Sequence, residues 1–161
     1  PFRTLVKRSW AFTPLGFNMW LAGYPLVSPG RGDRARNQLL QDCLRRLEDG
    51  LSILIFPEGT RSRNHELLPF RRGAFELAHE AGCSVLPVAL AGTDALSPPS
   101  TWRFSFAPGH QMIMEILPPV APMERPNKLR RHCERLLRAH VATLRAEVKQ
   151  TREAAMDLVT V

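Results

Sequence analysis

The densest run of chemistry-bearing side chains is Phe56-Pro57-Glu58-Gly59-Thr60-Arg61-Ser62-Arg63. Arg61 offers a planar, permanently charged fork that matches a phosphate. Gly59 permits a tight turn and lets a ligand approach main-chain N–H groups. Thr60 and Ser62 add hydroxyl donors, while Glu58 can orient Arg61 or accept from a substrate hydroxyl. Arg71 and Arg72 stand just before Gly73, where a helix can open and its free N–H groups attract anions. The chemistry these residue types favour is the capture of a phosphorylated ligand. The bland alternative, a solvated turn, fits Arg63, Arg71 and Arg72 as well as it fits any charge run.

Such a loop must be held by regular elements. Leu51-Ser52-Ile53-Leu54-Ile55-Phe56 is a short, almost continuous apolar run that predicts a strand buried on both faces, with the loop at its carboxyl end. From Pro57 to Arg72 the loop is about 16 residues, against roughly 2–6 for an ordinary strand-to-helix connection, and long ordered loops are often functional. Gly73 to Ala81 predicts a helix closed by Gly82. Ser84–Leu90 and Gln111–Leu117 predict further strands.

Upstream, Thr13 can cap a short helix from Pro14 to Ala22, and Tyr24–Val27 is a short strand candidate. Asp33 can cap a helix running to about Asp49, with Leu39, Leu40, Cys43, Leu44 and Leu47 as its apolar stripe. A long amphipathic helix from Asn127 to about Leu158 places Leu129, Leu136, Leu137, Val141, Leu144 and Val148 on one side. Strands alternating with helices predict an α/β fold, a mainly parallel sheet with helices on both faces.

With 44% hydrophobic and 23% charged residues in 161, the chain has the makings of one packed core rather than a disordered segment. Its net charge of +7 favours polyanions: nucleic acid, anionic lipid headgroups or phosphorylated small molecules. Charge alone does not choose among them. Cys43, Cys83 and Cys133 are odd in number, with no CxxC pair and no histidine at ligand spacing, which predicts buried structural thiols rather than a disulfide frame or zinc site. No stretch approaches the roughly 20 apolar residues that span a bilayer.

Phe-Pro-Glu-Gly-Thr-Arg-Ser, residues 56–62, resembles the third conserved block of the glycerolipid acyltransferases. Its neighbours fit too. Leu68-Pro69-Phe70-Arg71-Arg72-Gly73-Ala74-Phe75 resembles the family's following segment, and Val85-Leu86-Pro87-Val88-Ala89-Leu90 with Gly92 resembles its fourth block. Pro14-Leu15-Gly16 and Leu21-Ala22-Gly23-Tyr24 resemble the approach to its second. The resemblance implies an acyltransferase domain over residues 1–125, with 126–161 a C-terminal amphipathic helix packed on it or extending it.

By that resemblance Glu58, Gly59, Thr60 and Arg61 hold the phosphate and glycerol of a 1-acylglycerol-3-phosphate acceptor. The donor is acyl-CoA or acyl carrier protein, and no resident cofactor or metal is implied. The family's second block carries a further phosphate-binding arginine soon after the Gly-Tyr pair. Here Ser28-Pro29-Gly30 disturbs that spacing, and Arg31 is the candidate if two residues are inserted. The Arg31-Gly32-Asp33 string is read as coincidence rather than as an adhesion signal.

The family's general base is a histidine, oriented by an aspartate five positions later. None of His65, His79, His110, His132 and His140 has Asp at that interval. His110 has Glu115 there, but it follows the third and fourth blocks. His65 lies in the loop without a paired carboxylate. The expectation is therefore an N-terminally truncated domain lacking its catalytic residues, consistent with a start at Pro1 rather than Met. A non-catalytic phosphate-lipid-binding module is the alternative.

Nucleic-acid binding is disfavoured, because the arginines at 125, 130, 131, 135 and 138 come with no reader motif or aromatic interleaving. Peripheral contact with the cytoplasmic side of a membrane fits a lipid acceptor. Phe2, Phe12, Phe17, Met19 and Trp20 can dock on such an interface, but covering the sheet is the commoner use of such residues and is what is expected here.

Overall fold

A computed structural model describes residues 1–27, 32–62, 66–93 and 111–159, with the backbone alone from 154 onward. The chain opens with β1 (Phe2–Thr4) and β2 (Val6–Lys7), then a 3-10 turn at Arg8–Phe12 and α1 (Pro14–Leu21). β3 (Leu26–Val27), α2 (Gly32–Glu48) and β4 (Ser52–Leu54) follow, then the long loop and α3 (Gly73–Glu80). β5 (Val88–Ala91), β6 (Ile113–Ile116) and α4 (Pro126–Val159) complete the described elements.

Parallel pairing joins β1 to β4, with Arg3 opposite Ile53, and β2 to β3, with Val6 opposite Leu26. β5 and β6 pair antiparallel, Ala89 opposite Glu115, and a bridge from Val85 to Val120 extends that contact. The fold class is α/β, as the alternation of strand and helix patterns predicts. Because β1 and β4 run parallel, the chain leaves both at the same end. Thr4 and Leu54 stand side by side at that end, after which β2 pairs with β3 in a separate two-stranded sheet.

α4 is the principal organiser of the core. Its Leu129 and Cys133 pack with Phe70, Phe75 and Ala78, and about two to four turns later Val141 and Leu144 pack with Ala89 and Ala91 of β5. One apolar stripe, legible in the sequence, therefore ties the exit of the loop to the β5–β6 pair. Burying a side chain such as Leu129 stabilises the fold by roughly 1.5–3 kcal/mol. Across the domain, Arg46 of α2 donates from Nε to the Gly23 carbonyl at 2.7 Å, and Arg36 pairs with Glu76 of α3. That pairing holds the Arg36 guanidinium above its ordinary pKa.

Several elements depart from expectation. The strand at 51–56 is shorter than its apolar run and is not buried on both faces. Leu54 is 38% exposed and Phe56 60%, and Met112, Met114 and Ile116 near and on β6 are more than half exposed. Apolar composition reported the strand correctly but could not report which of its faces is covered. Asp33 lies within the first turn of α2 rather than before it. The strand expected at Ser84–Leu90 is regular only from Val88, since Pro87 removes an N–H from the preceding stretch.

Nor do the apolar side chains near the start cover the sheet. Phe2, Phe12, Phe17 and Trp20 are all at least half exposed, and only Met19 is partly covered. The cysteines behave as structural thiols. Burial pushes Cys43 and Cys133 up to about 11, which keeps both protonated and unreactive at neutral pH.

Candidate functional site

The loop from Phe56 to Arg72 is closed by its own main chain. Arg71 donates its N–H to the Pro57 carbonyl at 2.8 Å, so entry and exit lie side by side. Within that closure the Gly59 N–H donates to the Phe56 carbonyl at 3.1 Å, forming a tight turn directly after β4. Gly59 adopts φ 71°, in the left-handed region, and a Cβ there would stand 2.7 Å from Arg71 Nε. The absent side chain is what lets the Arg71 guanidinium lie against the turn.

Glu58 supplies the second clasp. Its Oε2 accepts the Leu68 N–H at 2.7 Å across ten residues, in a half-buried setting. By type Glu58 can orient Arg61 or meet a substrate hydroxyl; the geometry gives one of its two oxygens a main-chain partner. A carboxylate accepting a half-buried N–H fixes the loop far more firmly than a surface ion pair would. We therefore expect Glu58→Ala to destabilise the loop by about 1–3 kcal/mol, the cost of stranding the Leu68 N–H. Glu58→Gln keeps an acceptor oxygen and should retain most of that stability. Hydrogen exchange at the Leu68 amide separates the two; equal protection in wild type and Glu58→Ala would contradict the clasp.

The loop exit is anchored from below. Phe70 is buried and stacks on Phe75 of α3, with centroids 6.1 Å apart. Arg130 of α4 donates from Nη1 to the Phe70 carbonyl at 3.3 Å and to Glu134 at 2.9 Å. Thr60, Arg61, Arg71 and Arg72 stay exposed above this base, and Glu58 is half-buried beside them. α3 opens at Gly73 without a side-chain cap, directing the start of a helix toward the same cationic rim. The rim is suited to a dianionic phosphate, which a forked guanidinium and main-chain N–H groups can hold together.

Of the residues singled out from the sequence, Glu58, Gly59, Thr60 and Arg61 share this turn, and Arg71 joins them. Arg31, Arg63, His65 and His110 lie outside the described residues. His79 is engaged by the Met123 carbonyl at 3.1 Å, and His140 of α4 by Glu115 of β6 at 3.0 Å. Both contacts tie helices to neighbouring segments. Glu115 thus has a histidine partner, though not the one suggested by spacing. Sequence reasoning missed the supporting contacts of Leu68 and Arg130, since neither residue type marks a loop clasp.

A family model described as Acyltransferase matches residues 1–91, from the start of the chain through the last residue of β5. The chain belongs to this acyltransferase family. It is 33% identical to the 1-acyl-sn-glycerol-3-phosphate acyltransferase of Salmonella typhimurium over 96% of its own length and 62% of that protein. Identity to the 1-acyl-sn-glycerol-3-phosphate acyltransferase of Chlamydomonas reinhardtii is 40%, over 74% of the chain and 36% of the relative. Among solved structures, the 1-acyl-sn-glycerophosphate acyltransferase PlsC of Thermotoga maritima superposes with a TM-score of 0.76 at 26% identity, covering 89% of this chain and 56% of that one. The chain thus spans less than two thirds of these relatives. The matched region of the family contains the whole clasped loop.

Proposed function

We propose that residues 56–72 hold the phosphate of a 1-acylglycerol-3-phosphate acceptor, in an acyltransferase domain that forms a second ester on its glycerol. The observation that carries this reading is the clasped turn itself: Gly59 opens the main chain, and Arg61 and Arg71 flank it beside the start of α3. The names of the similar proteins support the same acceptor class. Arg31 is the proposed second arginine for that phosphate. The donor is a thioester of CoA or of acyl carrier protein.

In the reaction, a base removes the proton of the free glycerol hydroxyl as its oxygen attacks the thioester carbonyl. The C–S bond then breaks, and the thiolate leaves and takes up a proton. This chain's share is to fix the acceptor by its phosphate, so that the hydroxyl stands at a constant distance from the reacting carbonyl. None of its five histidines has an aspartate five positions on, and the two engaged by Met123 and Glu115 serve as structural ties. We infer that the chain alone binds acceptor without turning it over.

Incubation with lysophosphatidate and acyl-CoA tests this. The expected result is acceptor binding with ester formation at background. Ester formation that disappears in Arg61→Ala would contradict the absence of a base while supporting the phosphate site. A basic groove along α4, lined by Arg130, Arg131, Arg135 and Arg138, is less suited to the acceptor, because Glu134 pairs with Arg130 and Arg138 within it.

A further inference from the structure

We propose that the 3-10 turn at Arg8–Phe12 and α1 form a preset wedge that docks on anionic lipid surfaces. The proposal deepens the acceptor reading above and rests on it, since a lipid acceptor must be met where it lies. Trp10, Phe12, Leu15, Phe17, Trp20 and Leu21 are each at least half exposed, and Phe12 is 90% exposed. Gly16 is the one residue of α1 that is buried.

The exposure belongs to a rigid unit rather than a loose tail. Thr13 donates its hydroxyl to the Trp10 carbonyl at 2.6 Å and accepts the Gly16 N–H at 3.1 Å, capping α1 and closing the bend. Gly16 rests on the Trp10 carbonyl so closely that a Cβ would lie 1.8 Å from that oxygen. Phe17 and Trp20 lean on each other at 5.8 Å. Apolar side chains therefore stand outward on a locked bend, with the conformational cost of ordering them already met in the folded chain.

Charge selects the occupant. Residues 1–32 contain no Asp or Glu, yet carry Arg3, Lys7, Arg8 and Arg31. Lys7 and Arg8 are exposed at the root of the wedge. Asp42 lines the same hollow as Arg8 and Trp20, but it pairs with Arg45, and Arg46 stands beside it. An apolar tip bearing two tryptophans above a net cationic collar matches a headgroup region of negative potential over acyl chains. β1 leaves its pairing at the same end as β4, with Thr4 beside Leu54, four residues before the wedge begins.

Flotation with phosphatidylglycerol-containing vesicles, and with vesicles of phosphatidylcholine alone, tests the proposal. Wild type should float with the former and less with the latter. Phe12→Glu should lower partitioning by about tenfold or more, as expected when a fully inserted aromatic is lost. At 90% exposure that change spares the fold, and an unaltered melting curve checks this. Met114→Glu, on the open face of β6, serves as the control for unspecific stickiness and should float like wild type.

Flotation of Phe12→Glu at the wild-type level would overturn the proposal, as would a wild-type dimer in solution that Phe12→Glu dissolves. Glycerol 3-phosphate binding without vesicles separates the two readings. Wild type that binds glycerol 3-phosphate but fails to float defeats the wedge alone. Wild type that floats but does not bind glycerol 3-phosphate defeats the loop alone.

Discussion

Phe70→Ala is expected to lower the stability of the domain by about 3–5 kcal/mol, the usual range for truncating a buried phenylalanine. In a domain of this size that is a fall in Tm of roughly 10 °C. Phe70 joins Phe75 and Ala78 of α3 with Leu129 and Cys133 of α4, so its ring bridges the loop exit to both helices at once. The Arg130 contact does not replace it, because Arg130 reaches the Phe70 carbonyl, which alanine keeps. The substitution should therefore leave the loop hydrogen-bonded but resting on a void. Calorimetry of wild type and variant measures the loss; a change below 1 kcal/mol would show that this cluster does not support the site.

The second large effect concerns binding. Arg61→Ala should weaken lysophosphatidate about 10- to 100-fold, as expected for losing charge-assisted hydrogen bonds of roughly 1.5–3 kcal/mol. Arg61→Lys should fall between, since an ammonium keeps the charge but not the two-pronged geometry. Stability should hardly change, because Arg61 is exposed above the closure formed by Pro57, Glu58, Leu68 and Arg71. If Arg61→Lys lost as much affinity as Arg61→Ala, the fork would matter more than the charge. Equal affinity in all three would remove Arg61 from the site.

The helices were the most legible part of this sequence. Thr13 and Pro14 marked the start of α1, the stripe from Leu129 to Val148 described α4, and Gly82 closed α3, because caps and periodicity are local signals. The three- and two-residue strands β1 and β2 left too short a pattern to be read. Their pairing with β4 and β3 depends on partners some 50 and 20 residues away. The burial of β4 was misread for a related reason: Leu54 and Phe56 are apolar, but only the packing of neighbouring elements decides whether a face is covered.

At the candidate site, the tight turn at Gly59 is legible because a glycine after a strand exit commonly supplies a left-handed conformation, while Arg61 is marked only by its residue type beside it. By type alone Arg71 suits solvent and ligand equally, and only its position against Gly59 joins it to the turn. The clasp from Glu58 to Leu68 was invisible, since any residue can donate a main-chain N–H. The two exposed aromatic helical segments were expected to fold inward. Their apolar pattern alone does not distinguish a face that packs on a sheet from one that stands outside it; the absence of acidic residues through position 32 is the signal that favours the second.

The turn at Glu58–Arg61 is proposed to bind a phosphate carried on a glycerol. The most direct test is calorimetric titration of wild type and Arg61→Ala with glycerol 3-phosphate, and with glycerol as the phosphate-free control. The account predicts heat of binding for glycerol 3-phosphate with wild type, a loss of about 10-fold or more in affinity for Arg61→Ala, and no binding of glycerol by either. Glycerol 3-phosphate bound equally by both proteins would contradict it and move the phosphate site elsewhere on the chain.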